Sequence, residues 1–157
     1  MKRFAVFITA MIFATQAYAG MIAPRDGWAV HDTTMGYTEL VDSMTTAIKA
    51  EGMFIVTQAG PTAAAAKSGI VIPNNRVFGI YRNDYAVRTL ATSTAAMIEA
   101  PIRLYVTENA DGTATLSYKT PGAVFAPYLD EGGAELSAIA VELDAIFATI
   151  AARAVAK

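Results

Sequence analysis

Arg76-Val-Phe-Gly-Ile-Tyr81 is the segment around which the rest of this chain is organised. Val77, Phe78 and Ile80 predict a short buried strand, because β-branched and aromatic side chains pack well on a pleated surface. Gly79 interrupts the run, and a glycine inside a strand often marks a bulge or the close approach of another group. We therefore expect a core strand with a neighbour packed tightly against Gly79.

The clearest local pattern follows at residues 101–119. Two segments alternate between apolar and polar residues, and the turn Asn109-Ala-Asp-Gly112 separates them. The apolar positions are Ile102, Leu104 and Val106 in the first segment and Ala114, Leu116 and Tyr118 in the second. Alternation with a period of two around an Asp-Gly turn predicts a β-hairpin that has one buried face and one wetter face.

Upstream, a strand, a helix and a second strand follow one another. Residues 28–31 predict the first strand, and an apolar stripe over residues 37–48 predicts the helix. Gly36 is its expected N-cap, and Gly52 suits the position just after its end. Residues 53–57 predict a second strand that is buried on both faces. This order is typical of a right-handed crossover between parallel strands.

Helices account for much of the remaining chain. An Ala-rich segment predicts a short helix over residues 62–67, and Asn83 or Asp84 is the expected cap of another over residues 85–91. A long apolar stripe predicts a final helix over residues 134–154. The predicted fold class is therefore α+β, with two layers in which helices pack on a mixed β-sheet of about five strands.

The N-terminal residues have the pattern of a secretory signal peptide. Lys2 and Arg3 precede an apolar run over residues 4–14, and Ala17-Tyr-Ala19 forms a small-x-small cleavage site. About eleven apolar residues are too few for a membrane span, which needs roughly 20. We expect cleavage after Ala19, a periplasmic or secreted protein, and a single domain over residues 20–157.

Charge and cysteine content exclude several classes of function. Without residues 1–19, Lys plus Arg falls from 12 to 10 against 14 Asp plus Glu, which leaves a net charge of −4. A mildly acidic chain without a basic run argues against nucleic acid as a partner. The chain has no cysteine, so it contains neither a disulfide nor a thiolate nucleophile nor a zinc–cysteine cluster.

The charged residues that follow the central strand form the candidate ligand site. Asp84 and Arg88 lie four residues apart, the spacing of an ion pair along a helix. Arg82 would precede that helix, where backbone N–H groups favour an anion. Three tyrosines are candidates for the walls of such a cleft: Tyr81, Tyr105 and Tyr118. The alternative is a solvated surface ion pair, which contributes roughly 0–1 kcal/mol.

The only histidine offers two weaker hypotheses. His31 and Asp32 are neighbours, but adjacent strand residues point to opposite faces and do not meet. Thioether and imidazole ligands suit copper, so His31 with Met35 is an alternative metal site, although most methionines fill gaps in cores. Familiar catalytic motifs, such as Gly-x-Ser-x-Gly and His-Glu-x-x-His, do not occur in the sequence. We therefore predict no cofactor, no metal and no catalytic residues.

Several short motifs resemble the domain-of-unknown-function family 302. They are Gly27-Trp-Ala-Val30, Ala63-Ala-Ala-Ala-Lys-Ser-Gly69, Pro73-x-x-Arg-Val-Phe-Gly79, Pro101-Ile-Arg-Leu104 before the Asp111-Gly112 turn, and Tyr118-x-x-Pro121. Many members of that family continue the Phe-Gly pair with Asn-Pro, whereas this chain has Ile80-Tyr81. The resemblance implies a compact α+β fold of helices on a mixed sheet, commonly dimeric, and carries no established activity.

These observations favour a non-enzymatic exported domain that binds a small anionic or partly apolar molecule, or a protein partner. One alternative is an assembly module in which the apolar stripe of the final helix forms a homodimer interface. The others are a periplasmic copper-binding protein and an unrecognised enzyme.

Overall fold

A computed structural model describes residues 22–156 of the chain. The predicted signal peptide over residues 1–19 lies outside the described residues. Within residues 22–156, no helix combines the length and the apolar character that crossing a bilayer requires.

Within residues 22–156, five strands and five helices form two layers. The strands are β1 (Trp28–Asp32), β2 (Phe54–Ala59), β3 (Asn75–Tyr81), β4 (Ile102–Glu108) and β5 (Ala114–Lys119). The helices are α1 (Tyr37–Ala50), α2 (Thr62–Lys67), α3 (Asn83–Thr92), α4 (Pro121–Phe125) and α5 (Leu129–Val155), with 3₁₀ turns at Ala96–Glu99 and Ala126–Tyr128. The sheet order is β1-β5-β4-β3-β2. This arrangement confirms the predicted α+β class, the number of strands and the long C-terminal helix.

Every neighbouring pair of strands is antiparallel, so the sheet is antiparallel rather than mixed. β1 and β2 run in the same direction, as predicted, because four antiparallel pairings separate them, but they lie at opposite edges of the sheet. The connection between these two parallel strands therefore spans the whole sheet. The prediction that β2 is buried on both faces is wrong, since 65% of Phe54 and 51% of Val56 are exposed. Apolar content alone did not distinguish an edge strand from a central one.

Residues 76–81 form most of β3, which lies between β2 and β4. Phe78 and Ile80 are fully buried, as the sequence predicted. Gly79 lies where a side chain would collide with Thr57 on β2 and would come within 2.7 Å of the ring of Pro101. The expected close approach at this glycine is therefore confirmed, and it lets β2 and the start of β4 pack tightly around β3.

The predicted hairpin is formed by β4 and β5, with all six predicted apolar positions buried. Arg103 is exposed on the opposite face of β4, as expected. Thr115 and Ser117 are fully buried instead, so the second face of β5 is drier than the alternation predicted. β5 lies inside the sheet, so both residues have neighbours on two sides: Asp32 and Thr107 flank Thr115, and Val30 and Tyr105 flank Ser117.

Helices α1 and α5 cover one face of the sheet and complete the core. The boundaries predicted for α1 are confirmed: Gly36 is its N-cap, and Gly52 follows its end with a φ of 69°. The chain departs from helical geometry at Gly133, where φ is 60°, so the regular part of α5 begins where the sequence placed the final helix.

The apolar stripe of α5 lies inside the protomer. Five of its six members are buried in the same cluster as the sheet, and the sixth, Ile146, is partly buried and packs against that cluster. The five are Leu136, Ile139, Leu143, Phe147 and Ile150. The Oγ of Ser43 on α1 donates a hydrogen bond of 2.8 Å to the carbonyl oxygen of Ala154, which fixes the two helices to each other. The stripe is therefore largely occupied by the core of the protomer, and formation of a homodimer stays a prediction.

His31 points into this core from the edge strand β1. Its ring stacks on that of Tyr118, with the centroids 6.1 Å apart, and Tyr118 in turn contacts Phe147 at 5.5 Å. The Nε2 atom is buried and has no hydrogen-bond partner among the described residues. Burial lowers the pKa of His31, because the charged imidazolium loses its hydration there.

Replacing Gly79 with alanine is expected to destabilise the fold by about 1–3 kcal/mol, because the new methyl group overlaps Thr57 and Pro101. Chemical denaturation of the variant measures this loss. The double variant Gly79→Ala/Thr57→Ala is the control, since it removes one of the two collisions. Gly79→Ala should therefore lower the free energy of unfolding less in the Thr57→Ala protein than it does in the parent. A Gly79→Ala protein as stable as the parent would contradict the packing.

Acid is expected to weaken the fold through His31. In the unfolded chain the imidazole takes a proton near its ordinary pKa of about 6.5, whereas the folded protein binds that proton only at a lower pH. The unfolded state therefore gains more from protonation, and stability falls as pH decreases below about 6.5. His31→Phe should reduce the difference in melting temperature between pH 7.5 and pH 5.5, and an unchanged difference would contradict this role.

Candidate functional site

The residues predicted to bind a ligand begin with Arg82, which pairs with Asp84. The Nε atom of Arg82 lies 2.8 Å from Oδ1 of Asp84, and a second nitrogen lies 3.0 Å from Oδ2. This bidentate bond is the main reason why the pKa of Asp84 is lowered. The capping prediction is wrong, because α3 begins at Asn83 with Arg82 at the N-cap position.

Arg88 does not pair with Asp84 as the i, i+4 spacing predicted. It bonds to two carboxylates of α5 instead, with nitrogen–oxygen distances of 2.8 Å to Glu135 and 2.7 Å to Glu142. Hydrogen bonds to Glu142 and then Glu135 raise the pKa of Arg88 well above its ordinary value. Arg88 therefore attaches α3 to α5, and each of its three guanidinium nitrogens already donates to a carboxylate.

The two guanidinium groups lie over one ring, that of Tyr85. Arg82 is 4.4 Å and Arg88 is 5.5 Å from its centroid. The cavity beside them, which Tyr81 also lines, has a volume of only about 30 Å³. That volume is far below the roughly 300 Å³ at which small-molecule sites begin. The structure brings Arg82 and Arg88 together over Tyr85, and the cavity beside them is too small for such a ligand.

Tyr118 lies apart from this cluster. It is buried between His31 and Phe147, and burial raises its pKa. Asp32 accepts a hydrogen bond of 2.8 Å from the hydroxyl of Thr115, so His31 and Asp32 have separate environments, as the alternation of β1 predicted.

The copper hypothesis rested on His31 and Met35. Met35 is buried in the core cluster. Among residues 22–156, no group of three or more His, Cys, Asp or Glu side chains has the arrangement to hold a metal ion.

A larger cleft opens at the end of the sheet where β4 begins and β5 ends. Its volume is about 420 Å³, within the range typical of small-molecule sites. Residues of the sheet form its floor: Trp28, Val77, Arg103, Tyr105 and Lys119. The remaining lining residues are Ile102 and Tyr118 of the sheet, Ala123 and Val124 of α4, Pro127 and Glu99. We call this the Trp28 cleft.

The strand register explains why aromatic and cationic residues meet in the Trp28 cleft. Lys119 of β5 is the partner of Trp28 on β1, and paired residues share one face of the sheet. Leu104 is the partner of Tyr118, so Arg103, which precedes Leu104, lies beside Lys119. The three side chains therefore form one row on the face that α1 and α5 leave open.

The next row of the floor contains a small residue. Ser117 pairs with Val30 on one side and with Tyr105 on the other. Its hydroxyl is buried and has no hydrogen-bond partner within the described part of the chain. Burial raises the pKa of Tyr105, which therefore stays protonated and available as a donor at neutral pH.

The acidic residue of the Trp28 cleft has a hydrogen-bond partner, whereas its two basic residues have no ion-pair partner among the described residues. Arg103 and Lys119 make no ion pair with any other residue between 22 and 156. Glu99, the one carboxylate of the lining, accepts a hydrogen bond of 2.7 Å from the hydroxyl of Tyr128. That bond is the main reason why the pKa of Tyr128 is raised. The cleft thus presents two unpaired cations beside one engaged carboxylate.

A second cleft of about 430 Å³ lies beside α2. Its polar groups largely bond to one another. Arg76 donates to Gln58 at 3.4 Å, and the side-chain nitrogen of Asn75 donates to the carbonyl oxygen of Pro73 at 3.0 Å. The Trp28 cleft is therefore the better candidate, because its cations have no such partners.

Sequence reasoning found only part of the Trp28 cleft. It named Tyr105 and Tyr118 as wall residues, and the alternation of β4 placed Arg103 and Tyr105 on the wetter face. It did not connect Trp28 with Lys119, because that contact depends on the pairing of β1 with β5, which are about 90 residues apart. The predicted crossover between β1 and β2 did not indicate that β5 is the neighbour of β1.

Comparisons with known proteins agree with the fold. The crystal structure of an uncharacterized conserved DUF302 protein from Bacillus stearothermophilus is similar, with a TM-score of 0.73 and 18% sequence identity. The similarity covers 83% of this chain and 99% of that chain, and at this identity it shows the fold alone. No curated protein matches the chain significantly.

The family described as "Domain of unknown function DUF302" matches residues 29–152. This range contains β1 and most of α5, and therefore nearly all of both layers. The motifs that resemble the family in the sequence also lie almost wholly inside it. The chain belongs to the DUF302 family.

Proposed function

We propose that this chain is a non-enzymatic binding domain that takes a small, partly apolar organic molecule into the Trp28 cleft. The observation that carries the proposal is the cleft itself, whose 420 Å³ are bounded by Trp28, Tyr105 and apolar residues of α4. Large apolar clefts with a few convergent polar groups are the usual form of ligand sites. This location replaces the predicted site between Arg82 and Arg88.

The composition of the walls supports an apolar or aromatic portion in the ligand. Trp28 and Tyr105 present rings, while Val77, Val124 and Pro127 present aliphatic surface. Rings in such positions gain both from apolar burial and from preferred ring-to-ring geometries. A purely polar molecule would leave this surface in contact with water.

The position of His31 supports binding without catalysis. The single histidine of the chain stacks on Tyr118 in the helix-covered core, on the other side of the sheet from Arg103 and Tyr105. General acid–base chemistry needs a titratable group within hydrogen-bond reach of the substrate. Glu99, the carboxylate of the cleft, is held by Tyr128.

Export is part of the proposal and rests on the sequence of residues 1–19 alone. Its basic start, apolar run and Ala-x-Ala end are the three parts of a cleavable signal. The protein would then meet its ligand in the periplasm or outside the cell.

Self-association through β2 is a second candidate. This edge strand carries no charged residue, and Phe54 and Val56 are exposed on it. Edge strands that remain monomeric are usually protected by charges, prolines or bulges. β2 has one irregularity, near Val56, but no charge and no proline.

Removing the ring of Trp28 should weaken binding of the neutral fluorophore N-phenylnaphthylamine by about tenfold, or about 1.4 kcal/mol. Its fluorescence rises in an apolar cleft, so a titration measures the affinity directly. Phe54→Ala is the matched control, because it removes an exposed ring from the distant strand β2. Equal affinity of Trp28→Ala and the parent, or no binding by the parent, would contradict the proposal.

If β2 mediates association, Val56→Lys should convert a dimer into a monomer, because a charge on the edge opposes strand pairing. Sedimentation velocity measures the mass. Val141→Lys is the control, since this residue is 65% exposed on α5. A parent that sediments as a monomer, or a variant that remains dimeric, would exclude association through β2.

A further inference from the structure

We propose that the ligand of the Trp28 cleft is a planar aromatic monocarboxylate, with its carboxylate held by Arg103 and Lys119 and its ring placed between Trp28 and Tyr105. This inference rests on the proposed function and adds the chemical class of the ligand. It is argued from the unpaired cations, from the net charge of the cleft and from the spacing of the two aromatic residues.

Arg103 and Lys119 form a pair of neighbouring cations in the Trp28 cleft. Like charges on neighbouring positions of one sheet face destabilise the sheet, yet Arg103 and Lys119 lie side by side in an acidic chain. Three other arginines of the described chain bond to carboxylates, namely Arg82, Arg88 and Arg153. Of the remaining two, Arg25 lies over the ring of Trp28, 5.2 Å from its centroid, and Arg76 donates to Gln58. Arg103 and Lys119 instead face the cleft without a protein anion. An anionic group bound there would offset their repulsion.

The net charge of the lining residues favours a ligand with a single negative charge. The carboxylate of Glu99 also lines the Trp28 cleft, so the lining carries a net charge of about +1 rather than +2. A phosphate dianion would meet the repulsion of Glu99 in addition to the attraction of the cations. The planar guanidinium of Arg103 matches the two oxygens of a carboxylate, and Lys119 adds a point charge beside it.

The spacing of Trp28 and Tyr105 bears on the apolar part of the ligand. These residues, on β1 and β4, flank β5 but lie in successive rows, because Trp28 pairs with Lys119 and Tyr105 with Ser117. Their backbones are therefore two strand spacings apart across the sheet and two residues apart along it, or roughly 12 Å in all. Carbon atoms of stacked rings lie about 3.5–4 Å apart, so one ring between two others needs roughly 7–8 Å. Ser117, the residue of β5 paired with Tyr105, is small and leaves the space between the walls open. A flat ring fits such a slot better than a branched or globular group.

The test compares three probes by isothermal titration calorimetry on the protein without residues 1–19. Naphthoate has both the ring and the charge, naphthalenemethanol has the ring alone, and acetate has the charge alone. We expect naphthoate to bind at least about tenfold more tightly than either of the others. In Arg103→Gln/Lys119→Gln, naphthoate should lose that advantage over naphthalenemethanol, while naphthalenemethanol itself binds as before.

Arg76→Gln is the control for net charge, because it removes a cation from the cleft beside α2. It should leave naphthoate binding unchanged. Arg103 and Lys119 are exposed, so their replacement should not unfold the protein, and the melting temperature of each variant checks this.

The outcomes separate this inference from the proposed function. Equal affinity for naphthoate and naphthalenemethanol would overturn the carboxylate class while supporting a ligand cleft. Acetate as tight as naphthoate would overturn the aromatic part and indicate a plain anion site. An equal loss of naphthoate affinity in Arg76→Gln would assign the effect to net charge and also overturn the inference. Binding of none of the probes, nor of N-phenylnaphthylamine, would overturn the proposed function itself.

Discussion

The burial of one face of the sheet under α1 and α5 is the interaction on which the rest of the structure depends. Phe78, Leu104 and Leu116, on three adjacent strands, meet the helices in one cluster. Each such side chain contributes roughly 1.5–3 kcal/mol when fully buried. Because a strand alternates between faces, fixing these residues on the covered side also fixes Arg103, Tyr105 and Lys119 on the open side.

Local patterns predicted the elements because each element has a local cause. The hairpin, the ends of α1 and the start of the regular part of α5 follow from alternation, from Gly52 and from a stripe with helical period. Strand pairing has no such local cause, since β1 must meet β5 across the whole sequence. The same short apolar run suits an edge or a centre, and β2 was therefore misplaced as a buried strand.

In the predicted Arg82–Arg88 site, too, local spacing predicted the residues involved but not their long-range partners. The i, i+4 rule compares residues on one helix, and it paired Arg88 with Asp84. In the folded protein, Glu135 and Glu142 of α5 are better partners, because two carboxylates surround one guanidinium there. A cluster of charges near a strand end was thus a correct sign of an interaction, but the interaction is a contact between helices. The unpaired cations could be recognised only after every ion pair was known.

Residues that stabilise the fold and residues that line the Trp28 cleft lie mainly on opposite faces of the sheet. Residues of the covered face, such as Phe78, are fully buried, and truncating them would leave a cavity that costs several kcal/mol. Arg103 and Lys119 are exposed and unpaired, so the native state loses little when they change. Ser117 lies between these cases, because it is buried but small. Substitutions in the Trp28 cleft can therefore alter the choice of ligand while the core, on the other side of the same strands, keeps the fold.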